Sequence, residues 1–265
     1  MNNFNPQAYW EERLSQNIGL SGVGYIGLGE GFNHWLYKVR QRVFTRAVSI
    51  LDLDFCQSKV IDIGSGNGFY IERWKERGIH TLVGTDLTRV STEYLTRRFP
   101  DHQFFQIDIG SPLIYPLQKG IYDIASAFDV LFHIVDDHCY QQALENIYAI
   151  LKPGGWFLFS ENFLHNQTER GLHQVSRSLG EITGWIERSG FRIIHRIPMF
   201  VLMNDPIDQK NRYLRWGWQG LSILVRKINP LGWVGGMILY PLELFLTRSL
   251  RESPTTEMMI CRKPE

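Results

Sequence analysis

The stretch VIDIGSGNGFY, residues Val60–Tyr70, decides the fold of this chain. An apolar run rich in β-branched residues surrounds Asp62, and glycines follow at every second position, at Gly64, Gly66 and Gly68. Glycine allows a tight turn from a strand into a helix, and it lets a ligand approach main-chain N–H groups without a Cβ in the way. The stretch therefore predicts a strand, a ligand-binding loop and a helix, in that order.

The spacing of the glycines distinguishes two classes of nucleotide-binding loop. A dinucleotide fingerprint has the order G-x-G-x-x-G, which requires a glycine at position 69, where this chain has Phe69. The spacing here is G-x-G-x-G, with Asp62 two positions before the first glycine. A nucleotide-dependent oxidoreductase is therefore the less favoured alternative. The loop resembles the first motif of the class I S-adenosylmethionine (SAM)-dependent methyltransferases.

Four further elements follow in the order typical of that family. Asp86 ends the next predicted strand, at a distance from the loop that suits an acceptor for ribose hydroxyls. In the family, an acidic residue at the position of Asp108 receives the adenine amine, and the next residue, Ile109, lies against the ring. The other two elements are YDIASAFDVLFHI, residues 122–134, and LKPGGWFLFSEN, residues 151–162.

The resemblance covers about residues 58–200 and implies SAM as the cofactor. The predicted cofactor contacts, to which the aromatic N-terminal segment adds Tyr25, are Asp62, Gly64, Ser65, Gly66, Gly68, Asp86, Leu87, Asp108, Ile109, Phe128 and Tyr25. Asp86 has a simpler interpretation as a helix cap, and Asp108 as a turn residue before Gly110. The order of all the elements, each at the carboxyl end of a strand, favours ligand binding.

The alternation of β-branched runs with helical patterns predicts an α/β fold. We expect a Rossmann-like, seven-stranded, mostly parallel sheet with helices on both faces, a helical N-terminal lid and a helical C-terminal insertion. The predicted strands are Lys59–Ile63, Thr81–Thr85, His102–Gln106, Ile121–Phe128, Trp156–Ser160, Arg192–Phe200 and an edge strand at Glu257–Cys261. The predicted helices span 69–78, 89–98, 137–151 and 178–189, and helical stretches span 211–228 and 231–249.

Composition divides the chain into a lid at 1–55, a SAM-binding core at 56–203 and an apolar helical insertion with the last strand at 204–265. The formal net charge of +1 argues against nucleic acid as a partner. Three scattered cysteines favour a reducing cytoplasm over a disulfide framework or a cysteine-based zinc site. The first residues lack the pattern of a secretory signal.

His133 is the candidate general base, because it follows the fourth predicted strand and imidazole titrates near neutral pH. A general base increases the rate of methyl transfer by roughly 10²–10⁴-fold where the acceptor is a hydroxyl or a protonated amine. A structural histidine bonded within the next helix is the alternative. His165, His173 and His34 are weaker candidates.

A magnesium-dependent enzyme is a further alternative. Catechol-type methyltransferases have an acidic residue after the fourth strand and an Asp-Asn pair after the fifth. Asp129, Glu161 and Asn162 stand near those positions, and their oxygen ligands suit Mg²⁺. The glycine motif and the N-terminal helices differ from that group, so no metal site is predicted.

The N-terminal zone predicts a lid, because glycines at residues 19–31 lie among aromatic side chains, a combination found in loops that close over reactants. These side chains are Tyr25, Phe32, Trp35 and Tyr37. Lys38 or Arg40 is expected to meet the SAM carboxylate. An aromatic helix packed on the sheet edge is the alternative.

Leu231–Thr247 is nearly all apolar, with Glu243 as its only charge. Pro241 and three glycines interrupt it, and it is short for a membrane span. We predict that it roofs an apolar substrate pocket, with peripheral membrane contact through 211–249 or a dimer face as alternatives. The basic residues that flank it are Arg212, Arg215, Arg226, Lys227, Arg248 and Arg251.

These features predict methyl transfer from SAM to an oxygen or nitrogen of a small, largely hydrophobic metabolite, such as a natural product or a lipid-like molecule. The N-P-P-Y/F tetrapeptide typical of adenine and glutamine N-methyltransferases is absent, and FDVLF stands at its place. A catalytically inactive SAM-fold adaptor subunit is the non-enzymatic alternative. The intact loop with Asp86 and Asp108 argues against it.

Overall fold

The structure is a computed structural model that describes residues 4–112, 114–208, 212–227 and 229–265. The helices in these ranges are α1 Pro6–Gln16, α2 Leu20–Val23, α3 Gly29–Val48, α4 Phe69–Glu76, α5 Arg89–Arg98, α6 Asp137–Ile150, α7 Leu179–Arg188, α8 Arg212–Lys227 and α9 Asn229–Ser249. The strands are β1 Lys59–Ile63, β2 Thr81–Asp86, β3 Gln103–Gln106, β4 Tyr122–Ala127, β5 Leu151–Glu161, β6 Glu169–Arg170, β7 Val175–Ser176, β8 Arg192–Pro198 and β9 Glu257–Arg262.

In the described part of the chain, the main sheet has seven strands in the order β3-β2-β1-β4-β5-β9-β8. The strands β1 to β5 pair in parallel, and β9 is antiparallel to both of its neighbours. This confirms the predicted seven-stranded, mostly parallel Rossmann-like sheet. The expected edge strand at Glu257–Cys261 is wrong: β9 is inserted between β5 and β8, which is why Glu257–Cys261 is buried throughout.

Among the seven predicted strands, β1 has its predicted bounds, β2, β3 and β9 differ by one residue at one end, and the other three differ more. Strand β4 is one residue shorter at each end than Ile121–Phe128. Strand β8 stops at Pro198 rather than Phe200, because proline has no N–H with which to extend the ladder. Strand β5 already begins at Leu151, since the Lys-Pro-Gly-Gly segment forms its irregular start, with Gly154 at φ +74°. The short pair β6 and β7 has no signal in the sequence.

Alternate residues along the strands face opposite sides of the sheet, and both sides are covered. Val60 and Leu158 pack on one side against α3, α4 and α5. Their neighbours Ile61 and Phe157 pack on the other side against α6 and α7. With both faces buried, the carboxyl ends of the parallel strands form the edge at which a ligand binds in such folds.

Helix α9 is continuous through Pro241, so the expected interruption of this segment is wrong. Pro241 and Met237, whose carbonyl loses its helical donor, both lie on the exposed side of the helix, where that loss is tolerated. Among the described helices, α9 is the one whose length and composition would allow it to cross a membrane. Within Pro230–Ser249, an 18-residue window has a mean hydropathy of 1.2, and 22% of that window is buried.

The buried side of α9 contacts α3 at two glycines, Gly232 and Gly236. A Cβ added at Gly236 would stand 2.4 Å from Trp35 Cδ1, and one at Gly232 would stand 3.1 Å from the backbone nitrogen of Phe32. The two helices therefore approach too closely for a larger residue at these positions.

We expect Gly236→Ala to lower the free energy of unfolding by about 1–3 kcal/mol, because the added methyl group overpacks the contact with Trp35. The matched control is Gly220→Ala on the exposed side of α8, where a Cβ would meet nothing within 4 Å. That change should raise stability by about 0.4–1 kcal/mol. Urea denaturation measures both, and effects of the same sign would contradict the packing of α9 on α3.

Candidate active site

A cavity of about 430 Å³ opens at the carboxyl ends of β1 to β4, a volume within the usual range for small-molecule sites. Its walls come from the loops after these strands and from the start of the chain. The lining residues are Phe4, Pro6, Trp10, Leu14, Val23, Tyr37, Ile63, Gly64, Ser65, Gly66, Asn67, Phe69, Tyr70, Asp86, Leu87, Ile107, Asp108, Ile109, Phe128, Asp129, Val130, His133, Ile134, Val135, Asp136 and Cys139. Most of the predicted cofactor contacts therefore surround one space.

The glycine-rich loop forms one wall of this cavity. Gly64 has φ +67°, and a Cβ there would lie 2.3 Å from a methyl group of Val130. Gly68 has φ +83° and caps the start of α4, where a Cβ would lie 2.6 Å from the Phe99 ring. Gly68 lies outside the lining, because it packs α4 against the end of α5.

Asp62 also lies outside the lining, beneath the loop. Its carboxylate accepts a hydrogen bond of 2.6 Å from the hydroxyl of Ser126, which in turn accepts one from the indole of Trp74. Burial raises the pKa of Asp62 to about 7. Asp62 therefore has a supporting role, in which it ties β1 to β4 and α4.

Asp86 lines the cavity and holds the loop in place. One carboxylate oxygen accepts hydrogen bonds from the backbone and hydroxyl groups of Thr88, and the other accepts one of 2.9 Å from the Gly66 N–H. The cap of α5 is Thr88, whose side chain accepts from Ser91 N–H. The oxygen that faces Gly66 retains capacity for a second donor. Burial raises the pKa of Asp86.

Asp108 has both of the roles considered for it. One of its oxygens accepts a hydrogen bond of 2.9 Å from Gly110 N–H, which forms the turn, and the side chain also lines the cavity. Leu87, Ile109 and Phe128 line the same space and supply apolar surface for a planar ring.

The charged groups of the lining are all acidic. None of the described lining residues is a lysine or an arginine, and the four carboxylates are Asp86, Asp108, Asp129 and Asp136. Among the described ion pairs, only Asp129 of these four has a cationic partner. Such a lining suits a cationic ligand with hydroxyl and amine donors, which is the chemistry of SAM, and opposes the phosphates of a dinucleotide.

His133 lies half-buried in the cavity wall, beside the ring of Trp10 at 4.7 Å between centroids. Its Nδ1 lies 2.9 Å from the carbonyl oxygen of His173. Because a carbonyl only accepts, Nδ1 carries the proton and Nε2 keeps its lone pair. Burial lowers the pKa of His133 to about 4, so the ring is neutral at physiological pH.

The other three candidate histidines lie outside the lining. The ring of His34 packs on Trp233, 4.5 Å between centroids. The imidazole of His165 forms an ion pair with Asp208, which raises its pKa. The ring of His173 stacks on Tyr9 and lies nearly parallel to the His133 ring at 6.1 Å between centroids, and its carbonyl accepts a hydrogen bond from His133.

Arg40 and Lys38 do not reach the cavity, contrary to the expected contact with the SAM carboxylate. The guanidinium of Arg40 is buried and lies 2.7 Å from the Asp129 carboxylate, while the Lys38 ammonium lies over the ring of Trp35. Arg40 instead holds Asp129, which has φ +58° and also accepts a hydrogen bond from the Ser160 hydroxyl.

The three residues considered for magnesium each have protein partners. Asp129 is bound by Arg40, and the buried Glu161 accepts a hydrogen bond from Tyr140. Burial raises the pKa of Glu161 to about 8, which favours its neutral form at pH 7. Asn162 bonds to the hydroxyls of Ser176 and Thr256.

Sequence reasoning expected a helical lid within residues 1–55 and centred it on the glycines at 19–31, whereas the wall opposite the sheet comes from α1. Asn5 caps this helix and Pro6 opens it, a start signal that was readable in the sequence. Trp10 and Leu14 project from it into the lining.

Tyr25, expected at the cofactor, lies outside the lining. Its ring packs on Trp218 of α8, and its hydroxyl accepts a hydrogen bond from Arg226.

The predicted roof of C-terminal helices is wrong. None of the described lining residues comes after Cys139. Helices α8 and α9 pack on α3 instead, through residues such as Trp218 and Gly236. Their apolar surface therefore has a role other than enclosing this cavity.

The comparisons with known proteins agree with this arrangement. Residues 61–159 match the methyltransferase domain family. A ubiquinone biosynthesis O-methyltransferase of Coxiella burnetii is 24% identical over 154 residues, and the match covers 51% of this chain and 64% of that enzyme. A tRNA U34 carboxymethyltransferase of Helicobacter pylori is 22% identical over 241 residues, covering 85% of this chain and 88% of that protein.

Among solved structures, a SAM-dependent methyltransferase from Leishmania major superposes with a TM-score of 0.64 at 14% identity, covering 97% of this chain and 81% of that chain. The chain spans less than two thirds of the length of the ubiquinone biosynthesis enzyme, at 64%. Residues 61–159 therefore carry a methyltransferase domain, and the sheet order and the glycine-rich loop agree with a class I SAM-dependent methyltransferase, whose cofactor is SAM.

Proposed function

We propose that this chain transfers a methyl group from SAM to an oxygen or nitrogen of a small, largely hydrophobic molecule, such as a natural product or a lipid-like compound. The observation that carries the proposal is the cavity, in which carboxylates line the strand ends and a neutral histidine stands among apolar and aromatic walls. The free thiols of Cys56, Cys139 and Cys261 are in keeping with a cytoplasmic location.

The residues that would hold SAM are those at the strand ends. Asp86 would accept hydrogen bonds from the ribose hydroxyls, and Asp108 would accept one from the adenine amine. Leu87, Ile109 and Phe128 would enclose the adenine ring. When bound, SAM supplies a methyl group on a positively charged sulfur that is already a good leaving group. The chain's remaining task is to align the acceptor and exclude water.

His133 would remove the proton from the acceptor through Nε2, while its Nδ1–H remains bonded to the His173 carbonyl. A histidine whose pKa is about 4 is a weak base, which favours an acidic hydroxyl such as a phenol or an enol over an aliphatic alcohol. We favour an oxygen acceptor over nitrogen because a candidate base lines the cavity.

The acceptor would lie between His133 and α1, where Trp10, Leu14 and Ile134 offer apolar surface. The carboxylates of the lining would repel the phosphates of a nucleic acid. The similarity to a tRNA-modifying enzyme nevertheless makes RNA a necessary arm of the test.

The direct test is incubation with SAM labelled in its methyl group, followed by organic extraction. We expect label in extractable products when hydrophobic phenols are supplied, and none in added tRNA. Label found only in tRNA would contradict the proposed acceptor class. A protein that binds SAM but labels neither the phenols nor tRNA would favour the inactive adaptor.

We further propose that α1 acts as a lid over the bound ligands. The Glu11 carboxylate accepts hydrogen bonds of 2.8 and 3.0 Å from the backbone N–H groups of Arg89 and Val90, at the start of α5. Arg13 donates to the carbonyl oxygens of Gly22 and Gly24. These contacts hold α1 over the cavity.

We expect Glu11→Ala to speed SAM dissociation by about tenfold. The loss of the carboxylate that accepts from the start of α5 should destabilise the closed position of α1 by about 1–2 kcal/mol. The matched control, Glu12→Ala, changes the next residue along α1, whose carboxylate meets only the exposed side chain of Gln16. Stopped-flow fluorescence would follow dissociation. Equal rates for the two variants would contradict the lid.

A further inference from the structure

Helix α9 has many of its large apolar side chains on the outside, although Leu239 and Tyr240 pack partly against the core. Its buried positions hold small or polar residues, namely Gly232, Gly236, Glu243 and Thr247. Its exposed large apolar side chains are Trp233, Val234, Met237, Ile238, Leu242 and Phe245, between 46% and 65% exposed. A surface helix of a soluble protein has the opposite pattern. These six side chains, the exposed stripe of α9, therefore indicate a surface that binds a partner.

The stripe belongs to a helix that is fixed to the body of the protein. The Glu243 carboxylate is fully buried and accepts hydrogen bonds of 2.7 and 2.8 Å from the backbone N–H groups of Val201 and Leu202. The close contacts of Gly232 and Gly236 with α3 lie on the same side. To cross a membrane, α9 would have to abandon all of these contacts, so its geometry suits a helix that lies on a surface.

Helix α8 lies beside α9, with Leu221 and Val225 near Gly235. It exposes Ile223 to 54% and Trp216 to 55%. Indole and other amphipathic rings are typical of helices that lie at the boundary between lipid and water.

The charge within residues 209–251, the segment that holds both helices, is almost entirely positive. Residues 209–251 contain seven lysines and arginines and one acidic residue, Glu243, which is buried. The described exposed cations are Arg215, Arg226, Arg248 and Arg251. The side chains of Arg212 and Lys227, also noted in the sequence, lie outside the described part. Exposed apolar residues bordered by cations fit the surface of an anionic bilayer.

We propose that the outer faces of α8 and α9 dock this enzyme on an anionic phospholipid bilayer, with α9 lying in the interface. Charge argues against a second copy of the chain as the occupant. A two-fold contact through this face would bring like-charged arginines of the two copies together. Docking does not depend on the identity of the methyl acceptor.

The test is flotation of the purified protein with two kinds of vesicle, one of phosphatidylcholine alone and one with about a third of phosphatidylglycerol. We expect binding to the anionic vesicles that weakens as salt is added, and weaker binding to the neutral ones. Absence of flotation with either vesicle would overturn the proposal.

The variant Ile238→Gln/Phe245→Gln removes two large exposed side chains and should lower vesicle affinity by about tenfold or more. The matched control is Leu172→Gln, an apolar residue that is 68% exposed outside the two helices. It should bind vesicles as the unchanged protein does. Calorimetric titration with SAM checks that both variants are folded.

Equal vesicle binding by the double variant and the control would overturn the proposal. Sedimentation velocity covers the competing occupant. If the unchanged protein is a dimer that does not bind vesicles, and the double variant is a monomer, the face is a contact between copies of the chain. That result would also overturn the proposal of membrane docking.

Discussion

Replacing Asp86 by alanine should weaken SAM binding by about 10–100-fold, because a hydrogen bond to a charged group contributes about 1.5–3 kcal/mol. Asp86 stands in the cavity wall at the end of β2, and one of its oxygens retains room for a hydroxyl donor. Calorimetric titration with SAM and S-adenosylhomocysteine measures the change. Unchanged affinity in a folded variant would contradict the proposed position of the ribose.

Asp86 also holds the loop through Gly66 and Thr88, so the alanine variant alone could lose affinity through disorder of the loop. Asp86→Asn separates the two effects. Its amide oxygen can still accept from Thr88, and its thermal stability should lie closer to that of the unchanged protein. Its SAM affinity should still fall, since the charge is gone.

Replacing His133 by alanine should reduce turnover by about 10²-fold, the low end of the usual contribution of a positioned general base, because its pKa of about 4 makes it a weak base. SAM affinity should change little, because the side chain faces the acceptor side of the cavity, next to Trp10. The matched control is His173→Ala, which keeps the carbonyl that orients His133 Nδ1. Full activity of His133→Ala would return this histidine to a structural role.

We expect the protonation of His133 to determine how turnover depends on pH. Burial lowers its pKa to about 4, so lowering the pH from 8 to 6 leaves Nε2 unprotonated and should leave turnover unaffected by this group. Below about pH 5, protonation removes the lone pair and turnover should fall. The contradicting result would be a fall in turnover centred between pH 6 and 7 that disappears in His133→Ala, because it would mean that His133 titrates in that range.

Local sequence patterns predicted what depends on local structure. The turn at Gly64 requires a residue without a Cβ, so the loop could be located from the sequence. Asp86 and Asp108 stand at or just after short apolar runs that form β2 and β3, so their place at the sheet edge could be predicted as well. His133 was found for the same reason, since it follows a clear buried strand.

The features that sequence reasoning missed depend on contacts between distant segments. The insertion of β9 between β5 and β8 joins residues far apart in the chain. The position of α1 at the cavity depends on contacts such as that of Glu11 with the start of α5. Helix α9 buries Gly232 and Gly236 while large side chains such as Phe245 stay exposed. The rule that apolar residues face inward does not predict this arrangement.

The central claim is tested most directly by titrating the purified protein calorimetrically with SAM, S-adenosylhomocysteine and NAD⁺. An acid-lined cavity with no described lysine or arginine in its wall predicts micromolar binding of the two adenosyl ligands and no binding of NAD⁺. Binding of NAD⁺ alone would contradict the account and favour an oxidoreductase.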